Sequence, residues 1–217
     1  MSSRDQILGT LRAHRKPFPT VPDRPAAYVP VTRFGIEDRL ARFNAEVAHR
    51  FGTVHLASDQ AAAILLVLAL IEADKAVIAW ENLPLTGLIA ALNERHIQLV
   101  HVRTRDENRA DTLKAAEKIR VGITGADAGF ATTGTLALVS MKGQGRIPSL
   151  LPPVHIALLP RERIYERLED WFAVEGRAAM KTSRSIALVT GPSSTGDIEQ
   201  TNVLGAHGPG TVHIVVF

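Results

Sequence analysis

The chain contains no cysteine, and aromatic residues make up only 5% of its 217 positions. The first absence excludes a disulfide framework, a thiolate nucleophile and any cysteine-ligated iron–sulfur or zinc centre in this chain. Redox clusters, where its function needs them, belong to another subunit. The second predicts an interior built from Leu, Val, Ile and Ala. Long apolar runs are also lacking: the longest, Ala61 to Ile71, is eleven residues, short of the roughly 20 needed to span a bilayer. The opening "MSSRDQILGTLRAHRK" has no apolar signal-peptide core, so a soluble, cytoplasmic protein is expected. Net charge is +3, but residues 1–33 hold six basic and two acidic side chains, or +4, which leaves −1 for the remainder. The basicity is that of the amino-terminal arm, and without clustered Lys/Arg and aromatic support it gives no nucleic-acid signature.

Several catalytic signatures are missing as well. There is no Walker A lysine, no G-x-G-x-x-G, no G-x-S-x-G elbow and no recognised spacing of metal ligands, so no metal site is expected.

What is present is an alternation of helical and strand patterns. Ile7, Leu8 and Leu11 recur at helical spacing, and five prolines between Pro17 and Pro30 then impose an extended arm. A helix is predicted around Phe34 to Arg50, with Ile36, Leu40, Phe43 and Val47 on one face. A strand at Thr53 to Ala57 leads to an almost wholly apolar helix, capped by Ser58 and expected to be buried. Next come "KAVIAW", a helix from Pro84 to about Arg95, the strand Ile97 to Val102, a polar helix near Arg105 to Ile119, and "RVGITGA". "TGTLALVS", "HIALLP", a helix from about Arg161 to Glu175, "SIALVT" and "TVHIVVF" complete roughly eight strands. This pattern specifies one α/β domain with a mainly parallel sheet and helices on both faces.

Polar motifs fall where such sheets bind ligands, outside strand carboxyl ends. "TGAD", with Thr124 and Asp127, follows one strand, and "GPSSTGDIE", with Gly191, Ser193 and Asp197, follows another. Small residues and hydroxyls of this kind cradle an anion through backbone N–H groups, or simply make a capped turn. In "TTGTLALVS", Thr133 and Thr135 flank Gly134, which tolerates a positive φ or a close approach. Arg146 offers a bidentate carboxylate or phosphate contact, or is an ordinary surface arginine. His207, in "HGPG", suits a general base, a ligand or a hydrogen-bonded turn. It joins the other motifs only if the last strand runs antiparallel or the loop folds back. These ten residues are the candidate pocket for a small carboxylate or phosphate, and no catalytic residue is assigned.

Taken in order, "VGITGADAGFATTGTLAL", "GRIPSLLPPVHIALL", "VTGPSSTGDIEQ" and "GAHGPGTVHIVV" resemble the LUD-domain family and, within it, the LutC (YkgG-like) lactate utilization proteins. The resemblance implies a LUD α/β domain over residues 34–217 behind an arm at 1–33, with a fold similar to the NagB/RpiA/CoA-transferase group. It also implies a role in oxidising L-lactate to pyruvate beside iron–sulfur partner subunits, which would carry the clusters this cysteine-free chain cannot. The family pattern has an acidic residue before TGT and an Arg in the GPS loop, where this chain has Thr132 or Thr133 and Ser194. The alternative is a stand-alone small-anion or nucleotide/CoA-binding enzyme, for which Glu199 is the nearest candidate nucleophile. The arm offers a route to homo-oligomers.

Overall fold

The computed structural model describes residues 3–14, 35–102, 109–196 and 202–217. Met1–Thr32 and Arg33–Phe217 form two separate compact units. In the first, the described part is helix α1 (Ser3–Ala13), none of whose residues is buried. The second runs α2 (Ile36–His49), β1 (Thr53–Leu56), α3 (Gln60–Ile71), β2 (Ala76–Ala79), α4 (Leu88–Glu94), β3 (Gln98–Val100), α5 (Arg109–Ala116), β4 (Val121–Gly125), β5 (Ala128–Phe130) and β6 (Thr135–Ser140). It continues through β7 (Val154–Leu159), β8 (Ile164–Tyr165), α6 (Leu168–Trp171), a π-helical turn, α7 (Arg177–Thr182), β9 (Ser185–Val189), β10 (Ser194–Gly196), β11 (Asn202–Leu204) and β12 (Thr211–Val216).

Six strands form one sheet in the order β1-β12-β7-β4-β2-β3, every neighbouring pair parallel. A parallel sheet must be covered on both faces, which is why its central strands read as unbroken apolar runs. Alternate side chains serve the two faces. Ile123, Ile156, Leu158 and Val215 pack against Val67, Ile71, Leu88 and Leu92 of α3 and α4. Ala157, Leu159, Ile214 and Val216 meet Leu40, Phe43 and Val47 of α2 together with Leu136 and Leu138 of β6.

The α/β class is as the sequence indicates, with an added layer on one face. "TGTLALVS" and "SIALVT" leave the parallel sheet and form a second one, β8-β5-β6-β9, in which β6 runs antiparallel to both β5 and β9. Its far face, with Phe130, Ala137 and Val139, is closed by Trp171 of α6.

Four local expectations change. Helix α3 is capped by Asp59, whose side chain accepts from the Ala62 N–H at 2.8 Å while the Ser58 hydroxyl donates to Asp59. Asp59 holds that carboxylate as an acceptor, so the cap moves one residue on. α3 is also not wholly buried: Leu65 is 62% exposed, because only one side of the helix meets the sheet. α4 starts at Leu88 behind Gly87, leaving Pro84 in an irregular segment against Gly125. Finally, Ile164 and Tyr165 pair with β5 rather than entering a helix, and the helical stretch shifts to 168–182.

The interior holds two notable constraints. Gly122, in β4, lies so close to the Pro148 carbonyl that a Cβ there would sit 1.8 Å from its oxygen. His155, in β7, is completely buried, its Nε2 2.9 Å from the equally buried Thr124 hydroxyl and its Nδ1 without a hydrogen-bond partner. Burial holds the imidazole down to a pKa of about 4, against 6.5 when unfolded. A base with a depressed folded pKa contributes no penalty above pH 6.5 and loses stability as pH falls from 6.5 towards 4, here by about 3 kcal/mol in all. Acid unfolding followed by circular dichroism should therefore steepen across that window, and His155→Gln should flatten it. Gly122→Ala should lower stability by roughly 2 kcal/mol or more, read from urea midpoints, because Pro148 backbone rather than a pliant side chain must give way.

Candidate functional site

Strand order sets where a ligand can enter. From β2 the chain steps outward to β3, and from β4 it steps the other way to β7, so the order reverses between β2 and β4. At the carboxyl ends of such a pair the outgoing loops diverge and leave a crevice. Here that crevice is a cleft of about 290 Å³. Trp80, Asn82 and Pro84 follow β2, Asp127 follows β4, Arg163 follows β7 and Gln144 follows β6.

Each wall is fixed from behind. The Trp80 indole N–H donates to the Gly145 carbonyl at 2.8 Å, and the Glu81 N–H donates to the Gly143 carbonyl at 2.9 Å, which ties the β2 loop to the β6 loop. Asp127 donates its backbone N–H to the Ala137 carbonyl at 2.9 Å, and its Oδ2 accepts from the Val139 N–H at 2.8 Å. Both contacts reach β6, so the turn between β4 and β5 aims the carboxylate. Arg163 donates through Nη1 to Glu175, whose other oxygen accepts from the Tyr165 hydroxyl at 3.2 Å. Arg163 is also a lining residue of the cleft, and its side chain is steadied by Glu175, itself held by Tyr165.

Burial pushes the Asp127 carboxyl above the usual carboxylate range, against the Val139 N–H and the Arg163 charge that pull it down. A carboxylate raised by desolvation beside a guanidinium is a competent proton acceptor, and a guanidinium fork matches a ligand carboxylate bidentately. The His101 ring, after β3, is held at 3.0 Å from the Ala79 carbonyl and closes the side of β2 away from β4. Among the described residues, no three His, Asp or Glu side chains converge as a metal-binding set.

The ten candidate residues do not share one place. Asp127 lines the cleft; Thr124 points into the core at His155. Thr133, Gly134 and Thr135 lie at the far end of β6. There Gly134 has φ +64°, and a Cβ would approach the Val47 N–H to 2.6 Å, so no other residue fits. The Thr135 hydroxyl is 2.8 Å from that of Thr190, and Gly191 rests against the Arg50 carbonyl. The Ser193 N–H donates to the Pro209 carbonyl at 2.9 Å, and the Gly205 N–H to the Ser193 carbonyl at 2.7 Å. Because β12 is parallel to β7, His207 and its loop precede the sheet, and His207 is exposed. The TTG turn, the GPS loop and "HGPG" thus meet one another at the amino edge, across the sheet from Asp127. Arg146 is exposed, and its carbonyl accepts from the Ser149 N–H and hydroxyl. Asp197 and Glu199 lie outside the described residues.

Arg163, Trp80 and Gln144 escaped the sequence reading. Arg163 was findable: it sits four residues past the strand "VHIALL", at the same carboxyl edge that singled out Asp127. Gln144 was not, since it arrives from another sheet.

Comparison with known proteins agrees with this architecture. The LUD domain matches residues 40–217. Lactate utilization protein C of Macrococcus caseolyticus is 41% identical over 104 residues, covering 46% of this chain and 45% of that one. Its counterpart in Shouchella clausii is 35% identical, covering 62% and 59%, and that of Bacillus subtilis 37%, covering 46% and 42%. These alignments span about half the length of the relatives. The crystal structure of a DUF162 family protein from Deinococcus radiodurans superposes with a TM-score of 0.65 at 16% identity, over 85% of this chain and 99% of that one, which shows the shared fold. With the match extending from α2 through the last strand, the chain belongs to the LUD domain family.

Proposed function

We propose that this chain acts in lactate utilization, as the cysteine-free subunit working in the cytoplasm with iron–sulfur partner proteins that oxidise L-lactate to pyruvate. The observation that carries the reading is the LUD domain over residues 40–217, shared with relatives named lactate utilization protein C. The chain has no thiolate to offer an iron–sulfur cluster, which supports placing the clusters in partner proteins. The carboxyl-edge cleft is the place for the substrate. Arg163 would take the carboxylate, Asp127 the neighbouring hydroxyl, and Trp80 and Pro84 the methyl group.

A strain lacking the gene should fail to grow on L-lactate as sole carbon source and recover with the wild-type gene. Normal growth, with no second lactate dehydrogenase to mask the loss, removes the reading. Arg163→Lys keeps the charge but loses the fork, and should slow growth on lactate at least tenfold, whereas Arg146→Ala, an exposed arginine outside the cleft, should restore it fully.

Asp127→Asn tests the cleft itself. A carboxyl whose folded pKa lies above its unfolded value binds a proton on folding, so it destabilises at neutral pH and the penalty disappears as pH falls below the ordinary carboxylate pKa. Asn keeps an acceptor for the Val139 N–H, so the variant should melt at the wild-type temperature or higher at pH 7. Scanning calorimetry against pH checks this, together with loss of growth on lactate.

A further inference from the structure

β9 is the outer strand of the four-stranded sheet, paired on one side with β6 and with no described strand on the other. Its sequence, "SIALV", carries neither a charge nor a proline, the devices that ordinarily keep an exposed edge from pairing. Beside it runs an apolar groove of about 340 Å³ lined by Phe172, Met180, Arg184, Ile186 and Leu188. Leu188 is 52% exposed and Met180 62%. Ala187 and Val189 face the core between the sheets, and Ile186 the layer beneath α6, so Ile186 and Leu188 share the groove side.

We propose that β9 pairs antiparallel with β9 of a second copy about a two-fold axis at Ala187, joining the two four-stranded sheets into one of eight. The strand is complementary to itself in that register. Ile186 stands opposite Leu188 of the second copy, and Leu188 opposite Ile186, so the exposed Leu188 of each chain is covered against the partly buried Ile186 of the other and the two grooves run together across the axis. The charges agree with it. Arg184 lies three residues from the axis, which puts the two Arg184 Cα atoms roughly 20 Å apart along the paired strands at ~3.3 Å per residue. That is about twice the distance over which salt screens surface charges, near 10 Å. A partner with a different edge would have to match an uncharged five-residue strand and an apolar groove by chance; a second copy supplies both by symmetry.

The absence of cysteine makes the test clean. Antiparallel strands bring facing Cα atoms to about 4.5–5.5 Å, inside the range a disulfide spans, so Ala187→Cys places a lone thiol against its symmetry mate. Light scattering on the full-length protein at tens of micromolar should give twice the chain mass. Leu188→Lys should weaken that dimer at least tenfold while leaving the far-UV circular dichroism of the folded chain unchanged, since the side chain is exposed. Ala187→Cys should form a covalent dimer on mild oxidation, and adding Leu188→Lys should prevent it. A monomeric wild-type chain overturns the proposal and leaves β9 to a strand from another protein. A dimer that keeps its mass with Leu188→Lys, and that Ala187→Cys fails to cross-link, overturns it as well, since that dimer uses another surface.

Discussion

The parallel direction of all six strands in the larger sheet governs the rest of the molecule. Parallel strands cannot be joined by tight turns, so each crossover must carry a helix or a second sheet over one face or the other. Both faces are then dry, and the burial of Val77, Ile123, Ile156 and Val215 on one side and of Ala157, Leu159 and Ile214 on the other follows from that. The same constraint gathers every strand's carboxyl end at one edge and every amino end at the opposite edge. A loop's position along the sequence relative to its strand therefore decides which edge it reaches, whatever residues it contains.

That rule separates the polar motifs. "TGAD" leaves β4 and contributes Asp127 to the cleft; "HGPG" enters β12 and lies a full strand length away. The GPS loop follows β9, which belongs to the smaller sheet and runs antiparallel to β6, so it returns to the amino edge even though it leaves a strand's carboxyl end. Its contacts with Pro209 and Gly205 are those of a packed loop cluster. The glycines there, Gly134 beside Val47 and Gly191 beside Arg50, close α2 onto that cluster.

Much of the fold could be read from apolar periodicity. The seven strands of four or more residues, β3 within the longer run "IQLVHV", and the alternation with helices were legible because burial on two faces writes itself as runs such as "VHIALL" and "TVHIVV". β5, β8, β10 and β11, at two or three residues each, carry too few side chains to show a period. The assignment of "TLALVS" to a second sheet was hidden for a different reason: an all-buried strand has the same pattern in either sheet. Of the candidate site, Asp127 was visible as a carboxylate after a glycine-rich strand. Thr124 looked equally polar but is spent on His155 inside the core, a pairing that depends on β4 and β7 being neighbours, which local sequence does not encode.

The electrostatics of the cleft add a condition on what it can hold. Arg163 is already balanced by Glu175, so with Asp127 ionised the three groups sum to −1. An arriving carboxylate would add a second negative charge beside a carboxyl that burial has already moved towards its neutral form. A second negative charge there pushes the Asp127 carboxyl further in the same direction, because like charges in a desolvated site disfavour one another. Arg163 then needs to share only its remaining donors, and Glu175, steadied by Tyr165, keeps the guanidinium in place. A carboxylate that enters this cleft thus meets one guanidinium set between two carboxyl groups, and its fit depends on the direction of the Arg163 donors more than on net charge.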